Sequence, residues 1–257
     1  MATLDHSIHG DPGRPPLVLV HALGSDRRMW DDAIAALEDD FFCVAPDLQA
    51  AGRTPVPATP VAAEQHAGDL IALADELGLE RFAIAGCALG GMVAAMVAAM
   101  VPERVSALVM TNPGLRNLSE VKEMLRRRAV EVVEQGMDCL LPAAIDRSFH
   151  NQPRDARRDL FEARYRAQDP RGYASSVLGF LDIDIEPVLP RIECPALIIT
   201  GGQDILMPPE GADAVCAGIR DARRVDFESA AHFVPWQAPG ALAAQMKAFL
   251  AGPAAAA

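Results

Sequence analysis

The sequence predicts an α/β fold, with a mostly parallel central sheet, helices on both faces and an inserted helical cap. Three observations lead to this prediction. Short apolar runs alternate with longer helical patterns, which is typical of parallel strands buried on both faces. The alternation stops after Asn112-Pro113-Gly114 and resumes at Pro190. The chain of 257 residues, 51% of them apolar, can bury one large core, so no second independent domain is required.

Apolar runs bounded by turn-forming residues predict the strands, and helices fill the intervals between them. The predicted strands lie near 17–21, 43–45, 82–85, 107–111, 196–200 and 224–227. Residues 1–16 contain charges and turn formers with no apolar core segment. They carry no apolar segment of the kind found in a secretory signal, so the chain is expected to be soluble and not exported.

Two of the helices are clear from the sequence. Three leucines on a common face predict a helix over 61–77 that packs on the sheet. The other helix covers 92–100, where no helix breaker occurs before Pro102.

Residues 115–189 are rich in Arg, Glu and Asp and show helical patterns with few β-branched runs. We interpret this segment as the helical cap, inserted above the functional site of a core formed by 1–114 and 190–257. A cap of this kind supplies pocket walls and excludes water, which strengthens the charge interactions beneath it. The arginine run 126–128 is interpreted as the solvated face of an amphipathic helix.

The segment 81–91 predicts a buried strand, a glycine-pinned turn and the start of a helix. This is how a nucleophile elbow, G-x-S-x-G, is built. Its central residue has a strained backbone, and the residues two before and two after it need almost no side chain. Gly86 and Gly90 meet that requirement, whereas the central position holds Ala88. The hydroxyl that such an elbow presents is therefore absent.

Four more segments, together with the elbow, carry a resemblance to a known family. They are the strand and loop 17–24, the segment 45–54, which resembles a degraded PDLRGHGRS motif, the late strand and turn 195–204, and the loop 230–233. In this order they resemble the α/β-hydrolase fold family, whose triad runs nucleophile, Asp, His. The chain departs from the family pattern at Ala22, where glycine is usual, and at Gln49-Ala50-Ala51.

The resemblance implies which residues form the site. Ala88 occupies the nucleophile position, Asp204 is the acid and His232 is the base. The oxyanion hole would consist of the backbone N–H groups of Leu23 and Leu89, which do not depend on side-chain identity.

Within this family, the local sequence is most similar to 3-oxoadipate enol-lactonases and neighbouring small esterases. The stretches that support this similarity are 21–31, 77–82, 163–166 and 172–174. The similarity implies a small-molecule ester or lactone as substrate, with no cofactor. Family placement also implies the residues of the pocket wall, which are Trp30, Met92, Tyr165, Phe180 and Trp236.

Three interpretations of Ala88 remain open at this point. The first is an engineered Ser-to-Ala change in a serine hydrolase, which leaves an otherwise intact but inactive site. The second is a natural member that uses His232 as a general base without a nucleophile, as in the cofactor-free dioxygenases and lyases that resemble this fold. The third is a ligand-binding relative without turnover. Cys87 precedes the apex of the elbow, so we expect its thiol to point away from the site.

Composition excludes several classes of partner. A net charge of −12 argues against nucleic acids and anionic membranes. The five cysteines lack C-x-x-C spacing and nearby histidine pairs, which disfavours a metal site or a disulfide scaffold and favours buried thiols in a reducing cytoplasm. No stretch is long and apolar enough for a membrane span. Oligomeric state stays open, because the cap and an exposed helix are equal candidates for the surface of a homodimer.

Overall fold

The computed structural model describes residues 3–207 and 209–252. Its strands are β1 (His6–His9), β2 (Pro16–Val20), β3 (Phe42–Pro46), β4 (Phe82–Cys87), β5 (Val105–Thr111), β6 (Ala196–Gly201) and β7 (Ala222–Phe227). Its α-helices are α1 (Asp31–Leu37), α2 (Ala63–Glu76), α3 (Leu89–Met100), α4 (Ser119–Gln135), α5 (Ala143–Ser148), α6 (Ala156–Arg166), α7 (Pro170–Gly179), α8 (Pro209–Gly218), α9 (Val234–Gln237) and α10 (Pro239–Leu250).

The strands form one sheet in the order β1-β3-β2-β4-β5-β6-β7. All neighbours pair in parallel except β1 and β3, which pair antiparallel. The predicted mostly parallel sheet is confirmed. Five of the six predicted strands lie within observed ones, and the strand predicted at 17–21 extends one residue beyond β2. No strand was predicted among residues 1–16, where the structure has β1. Its sequence, His-Ser-Ile-His, is only partly buried at the sheet edge, so it shows little apolar signal.

The central strands carry apolar residues on both faces because both faces are covered by helices. Leu17 and Leu19 of β2 point to one side and join a cluster with α1 and α10, whereas Val18 and Val20 point to the other and pack with α2, α3 and α8. This strict alternation follows from the two-residue period of a strand. It fixes the register of β2, and therefore the position of the loop that follows it.

The 115–189 segment lies between β5 and β6 and contains α4, α5, α6 and α7. Its two ends run side by side, because Arg116 forms a β-bridge with Asp184 and the Asn117 amide donates to the Phe180 carbonyl at 2.8 Å. Its division from the core at 114 and 190 stays a prediction.

The arginine run 126–128 and the cysteines differ in how far the structure exposes them. Arg126 and Arg127 are exposed and pair with Glu123, as expected of a solvated face, but Arg128 is partly buried and turns toward Tyr173. Among the cysteines, Cys139 is exposed and Cys216 is intermediate, while the other three are buried free thiols. None of the helices in the described ranges combines the length and the apolar composition that a membrane span requires.

Candidate active site

The turn between β4 and α3 has the backbone of a nucleophile elbow. Ala88 adopts φ 48° and ψ −113°, which is strained for a residue with a side chain. The turn closes because glycines permit backbone contact: a Cβ at Gly86 would lie 2.2 Å from the Gly90 carbonyl oxygen, and a Cβ at Gly90 would lie 2.3 Å from that of His21. Ala88 therefore stands at the start of α3, next to the loop that follows β2.

Asp204 and His232 form a hydrogen-bonded pair at the same edge of the sheet. Asp204 follows β6, His232 follows β7, and the imidazole Nδ1–H donates to the carboxylate Oδ2 at 2.8 Å. Both residues are buried, with 4% of Asp204 and 7% of His232 exposed. Within the described part of the chain, the other ring nitrogen, Nε2, has no hydrogen-bonding partner. It is therefore available to accept a proton from a substrate or a side chain.

The surroundings of Asp204 favour its ionised form. Burial raises the pKa of this carboxyl, but the facing His232 and the backbone N–H groups of Met207 and Leu206 outweigh burial, so the pKa lies below its ordinary value. The two N–H groups donate to Oδ1 at 3.1 and 2.8 Å. An ionised Asp204 holds His232 in the tautomer that leaves Nε2 unprotonated.

This lowered pKa predicts a pH dependence of stability. The pKa in the unfolded chain is about 3.9, so ionised Asp204 stabilises the fold above that pH, and the contribution disappears as the pH falls through the lower folded-state value. We expect the free energy of unfolding of Asp204→Asn to fall less steeply than that of the parent chain as the pH drops below about 4. Denaturant titrations at several pH values measure that slope. Asp39→Asn, which alters an exposed carboxyl, should leave it unchanged, and an unchanged slope in Asp204→Asn would contradict the prediction.

The two residues predicted to form an oxyanion hole lie in the loop after β2 and at the start of α3. His21 fixes this loop, because its Nδ1–H donates to the Ala22 carbonyl at 2.9 Å while its Nε2 accepts from the Leu48 N–H at 3.0 Å. Among the described residues, the N–H groups of Leu23 and Leu89 have no backbone or side-chain acceptor. The N-terminus of α3 adds its positive dipole at Leu89.

The thiol of Cys87 is not available as a nucleophile. Its side chain is fully buried and its thiol lies 3.8 Å from the backbone carbonyl oxygen of His232. Burial raises the pKa of this thiol to about 12, so it stays protonated and unreactive near neutral pH. The contact also shows that the residue before Ala88 packs against the loop that carries His232.

A family model described as alpha/beta hydrolase fold matches residues 15–239 of the chain. The chain belongs to the alpha/beta hydrolase fold family. Over 219 residues it is 28% identical to 3-oxoadipate enol-lactonase 2 of Acinetobacter baylyi, which covers 84% of this chain and 81% of that protein. The predicted similarity to enol-lactonases is thereby confirmed.

Solved structures give the same result for this α/β hydrolase. The enol-lactonase of Burkholderia xenovorans superposes with a TM-score of 0.90 at 28% identity, covering 97% of this chain and 96% of that one. A thermophilic esterase of Thermogutta terrifontis superposes with a TM-score of 0.89 at 28% identity, covering 96% and 93%.

Three of the five predicted wall residues of this α/β hydrolase line one of two cavities, and the other two do not. Phe180 lines a cavity of about 10 Å³ that also reaches Leu23 and Leu89. Tyr165 and Trp236 line a second cavity of about 10 Å³ on the other side of Gly24. Trp30 and Met92 are buried in the core and line neither cavity. Trp30 packs beside α1 and Met92 lies in α3, so their assignment to the pocket wall stays a prediction.

Two polar residues of the site were not singled out by the sequence. Asn112 donates to Asp204, and Gln237 accepts the N–H groups of Ala231 and Phe233 at 2.9 and 3.2 Å, which flank His232. Asn112 directly follows a buried strand at the same sheet edge as the elbow, and that position was a usable signal. Gln237 follows the histidine in a short helix and carried no comparable signal.

Proposed function

We propose that this α/β hydrolase has the machinery for cleaving an ester or lactone through a serine acyl-enzyme, and that the hydroxyl of that serine is absent at position 88. The observation that supports the proposal most is the strained backbone of Ala88. An alanine gains nothing from φ 48°, which costs on the order of 1–3 kcal/mol, whereas a nucleophile needs that conformation to face its base. The paired acid and base and the unused N–H groups add support.

In the proposed mechanism, a serine oxygen at position 88 attacks the carbonyl carbon of the substrate. His232 takes the proton of the serine on Nε2, and Asp204 stabilises the imidazolium that forms. The N–H groups of Leu23 and Leu89 bind the negative oxygen of the tetrahedral intermediate. His232 then returns the proton to the leaving alcohol, and water releases the acyl group by the reverse sequence.

With alanine at position 88, the chain retains substrate binding and the oxyanion donors but lacks the attacking atom. Loss of one triad member in such a machinery lowers kcat on the order of a million-fold, with residual catalysis from the remaining groups. We therefore expect the chain as it stands to bind substrate with very slow turnover. The intact surroundings of Ala88 favour a Ser-to-Ala exchange over an adapted site, and the codon for residue 88 in the source genome distinguishes an engineered exchange from a natural one.

The 115–189 segment would act as the cap in this proposal. Tyr165 and Tyr173 pack over Gly24 in the oxyanion loop, and the Gln168 amide donates to the Gly24 carbonyl at 2.8 Å. The two cavities beneath these residues each hold about one water molecule. An ester therefore enters only when the cap shifts, and its return would exclude water from the reaction.

The decisive experiment restores the hydroxyl. We expect Ala88→Ser to hydrolyse short aryl esters or an enol-lactone at a rate well above that of the parent chain, which serves as the control. If the serine variant folds and hydrolyses neither substrate class, the proposal fails. Consumption of oxygen by the parent chain, lost in His232→Ala, would instead favour general-base chemistry without a nucleophile.

A further inference from the structure

The Asn112 side chain occupies the junction between the acid and the base. The residue follows β5 directly, has a backbone φ of 48° and is 1% exposed. Its backbone N–H donates to the Ile199 carbonyl of β6 at 2.8 Å, which fixes the start of the turn. The amide thus projects between the loop that follows β6 and the loop that follows β7.

The side-chain amide of Asn112 forms hydrogen bonds through both its nitrogen and its oxygen. Nδ2 donates to Asp204 Oδ2 at 2.5 Å and to the Ala231 carbonyl at 2.8 Å, while Oδ1 accepts the Gly201 N–H at 2.8 Å. These three contacts join the acid, the residue before the base and the last residue of β6. They need two donors and an acceptor on one short planar group, which among the common side chains only asparagine provides at this length.

The contact with Asp204 is to a particular oxygen. Oδ2 accepts both the Asn112 amide and the imidazole of His232, whereas Oδ1 accepts the N–H groups of Leu206 and Met207. With four donors, the carboxylate cannot rotate without breaking two hydrogen bonds on each side. The direction of the lone pair that faces His232 is therefore fixed partly by Asn112.

We infer that Asn112 is a positioning residue of this site: it fixes the orientation of the Asp204 carboxylate and the position of the loop that carries His232, so that the imidazole Nε2 faces position 88. The inference rests on the proposed function, because it assigns Asn112 a role through the acid and the base of that mechanism. Asn112 touches neither substrate nor nucleophile. Its effect is carried by the two hydrogen bonds of Nδ2.

Among the described residues, the side chains of Asp204 and His232 hydrogen-bond to each other and to no further titratable side chain. Asp204 and His232 face each other, and the thiol of Cys87 in β4 approaches the His232 carbonyl at 3.8 Å. From the 115–189 segment, the contact with His232 is the backbone carbonyl of Ser148, which accepts the His232 N–H at 3.2 Å and carries no charge. A change at Asn112 is therefore transmitted through Asp204 and the His232 loop.

The test compares three variants, each made in the parent chain and in Ala88→Ser. Asn112→Leu removes all three amide contacts at similar volume, and Asn112→Asp retains an acceptor for Gly201 but loses the paired donors. Asn117→Leu is the matched control, because the Asn117 amide also donates to backbone carbonyls, those of Phe180 and Leu181, away from Asp204. Proton NMR of the parent-chain variants follows the low-field Nδ1–H signal of His232, and steady-state kinetics follow kcat and KM.

In the Ala88→Ser background we expect Asn112→Leu to lower kcat by about 100-fold with KM nearly unchanged. Asn112→Asp should lower kcat at least as far, because its carboxylate would repel that of Asp204. The low-field signal should weaken in the same order, and Asn117→Leu should match its parent in both readouts. Values for Asn112→Leu equal to those of Asn117→Leu would overturn the inference, as would a joint change in kcat and KM that follows thermal stability.

If Asn112→Leu does not fold, kcat and the low-field His232 signal of Asn112→Asp provide the test. Values of both equal to those of the parent would overturn the inference. The NMR comparison of the parent-chain variants does not depend on catalytic turnover. A failure of Ala88→Ser to hydrolyse esters would thus contradict the proposed function, whereas an unchanged His232 signal would contradict the role of Asn112.

Discussion

In the Ala88→Ser chain, replacing His232 with alanine is expected to lower kcat on the order of a million-fold. The serine hydroxyl is a weak nucleophile at neutral pH unless a base takes its proton, and the proposed base is His232, which hydrogen-bonds to the buried carboxylate of Asp204. The backbone donors would remain, so the residual rate would still exceed that in water.

Asp204→Asn in the same background is the graded comparison. It should lower kcat by about ten-thousand-fold, because an amide at this position no longer holds the imidazole in the productive tautomer. His9→Ala, on the edge strand β1, should leave kcat unchanged. Steady-state assays with an aryl ester measure all three variants. Retention of a tenth or more of the activity in His232→Ala would show that another group activates the serine.

Gly90→Ala is expected to cause a large loss of stability. The new Cβ would lie 2.3 Å from the His21 carbonyl oxygen and 2.5 Å from that of Val20, both of them backbone atoms at the end of β2. Backbone atoms in a buried parallel strand cannot move aside without shifting the oxyanion loop. We expect the free energy of unfolding to fall by more than about 3 kcal/mol, or the chain not to fold.

Gly68→Ala in α2 is the matched control, because no atom lies within 4 Å of the Cβ that it adds. It should raise the free energy of unfolding by about 1 kcal/mol through helix propensity. Urea denaturation followed by circular dichroism compares the two variants. A Gly90→Ala protein within about 1 kcal/mol of the parent would contradict the tight contact between the elbow and β2.

The buried strands were predictable because their chemistry is independent of their partners. Runs such as Leu17 to Val20 must be apolar on both faces wherever they lie in a parallel sheet, and the same holds for the strand before the elbow. The edge strand β1 was not predictable, because pairing with β3 rather than burial defines it. Partly buried His6 and His9 give no periodic signal.

The site divides in a similar way. Ala88, Asp204 and His232 were predicted as site residues because the motif around each reflects a constrained backbone, and the structure brings Asp204 and His232 into contact. The hydrogen bonds of Asn112 could not be predicted, because its side chain contacts Gly201 and Asp204, which lie 89 and 92 positions further along the chain. Trp30 and Met92 were assigned to the pocket wall from their position near motifs, and this assignment stays a prediction, because a position near a motif does not fix the direction of a side chain.

The most direct test of the account is covalent labelling of position 88. An organophosphonate that phosphonylates serine hydrolases should add once to the Ala88→Ser chain, on the peptide that contains residue 88, and the adduct should be lost in Ala88→Ser with His232→Ala. The parent chain should remain unlabelled. Intact-mass and peptide mass spectrometry give the result. Labelling of another residue, or none at residue 88 in a folded Ala88→Ser protein, would contradict the claim that this elbow presents a nucleophile to His232.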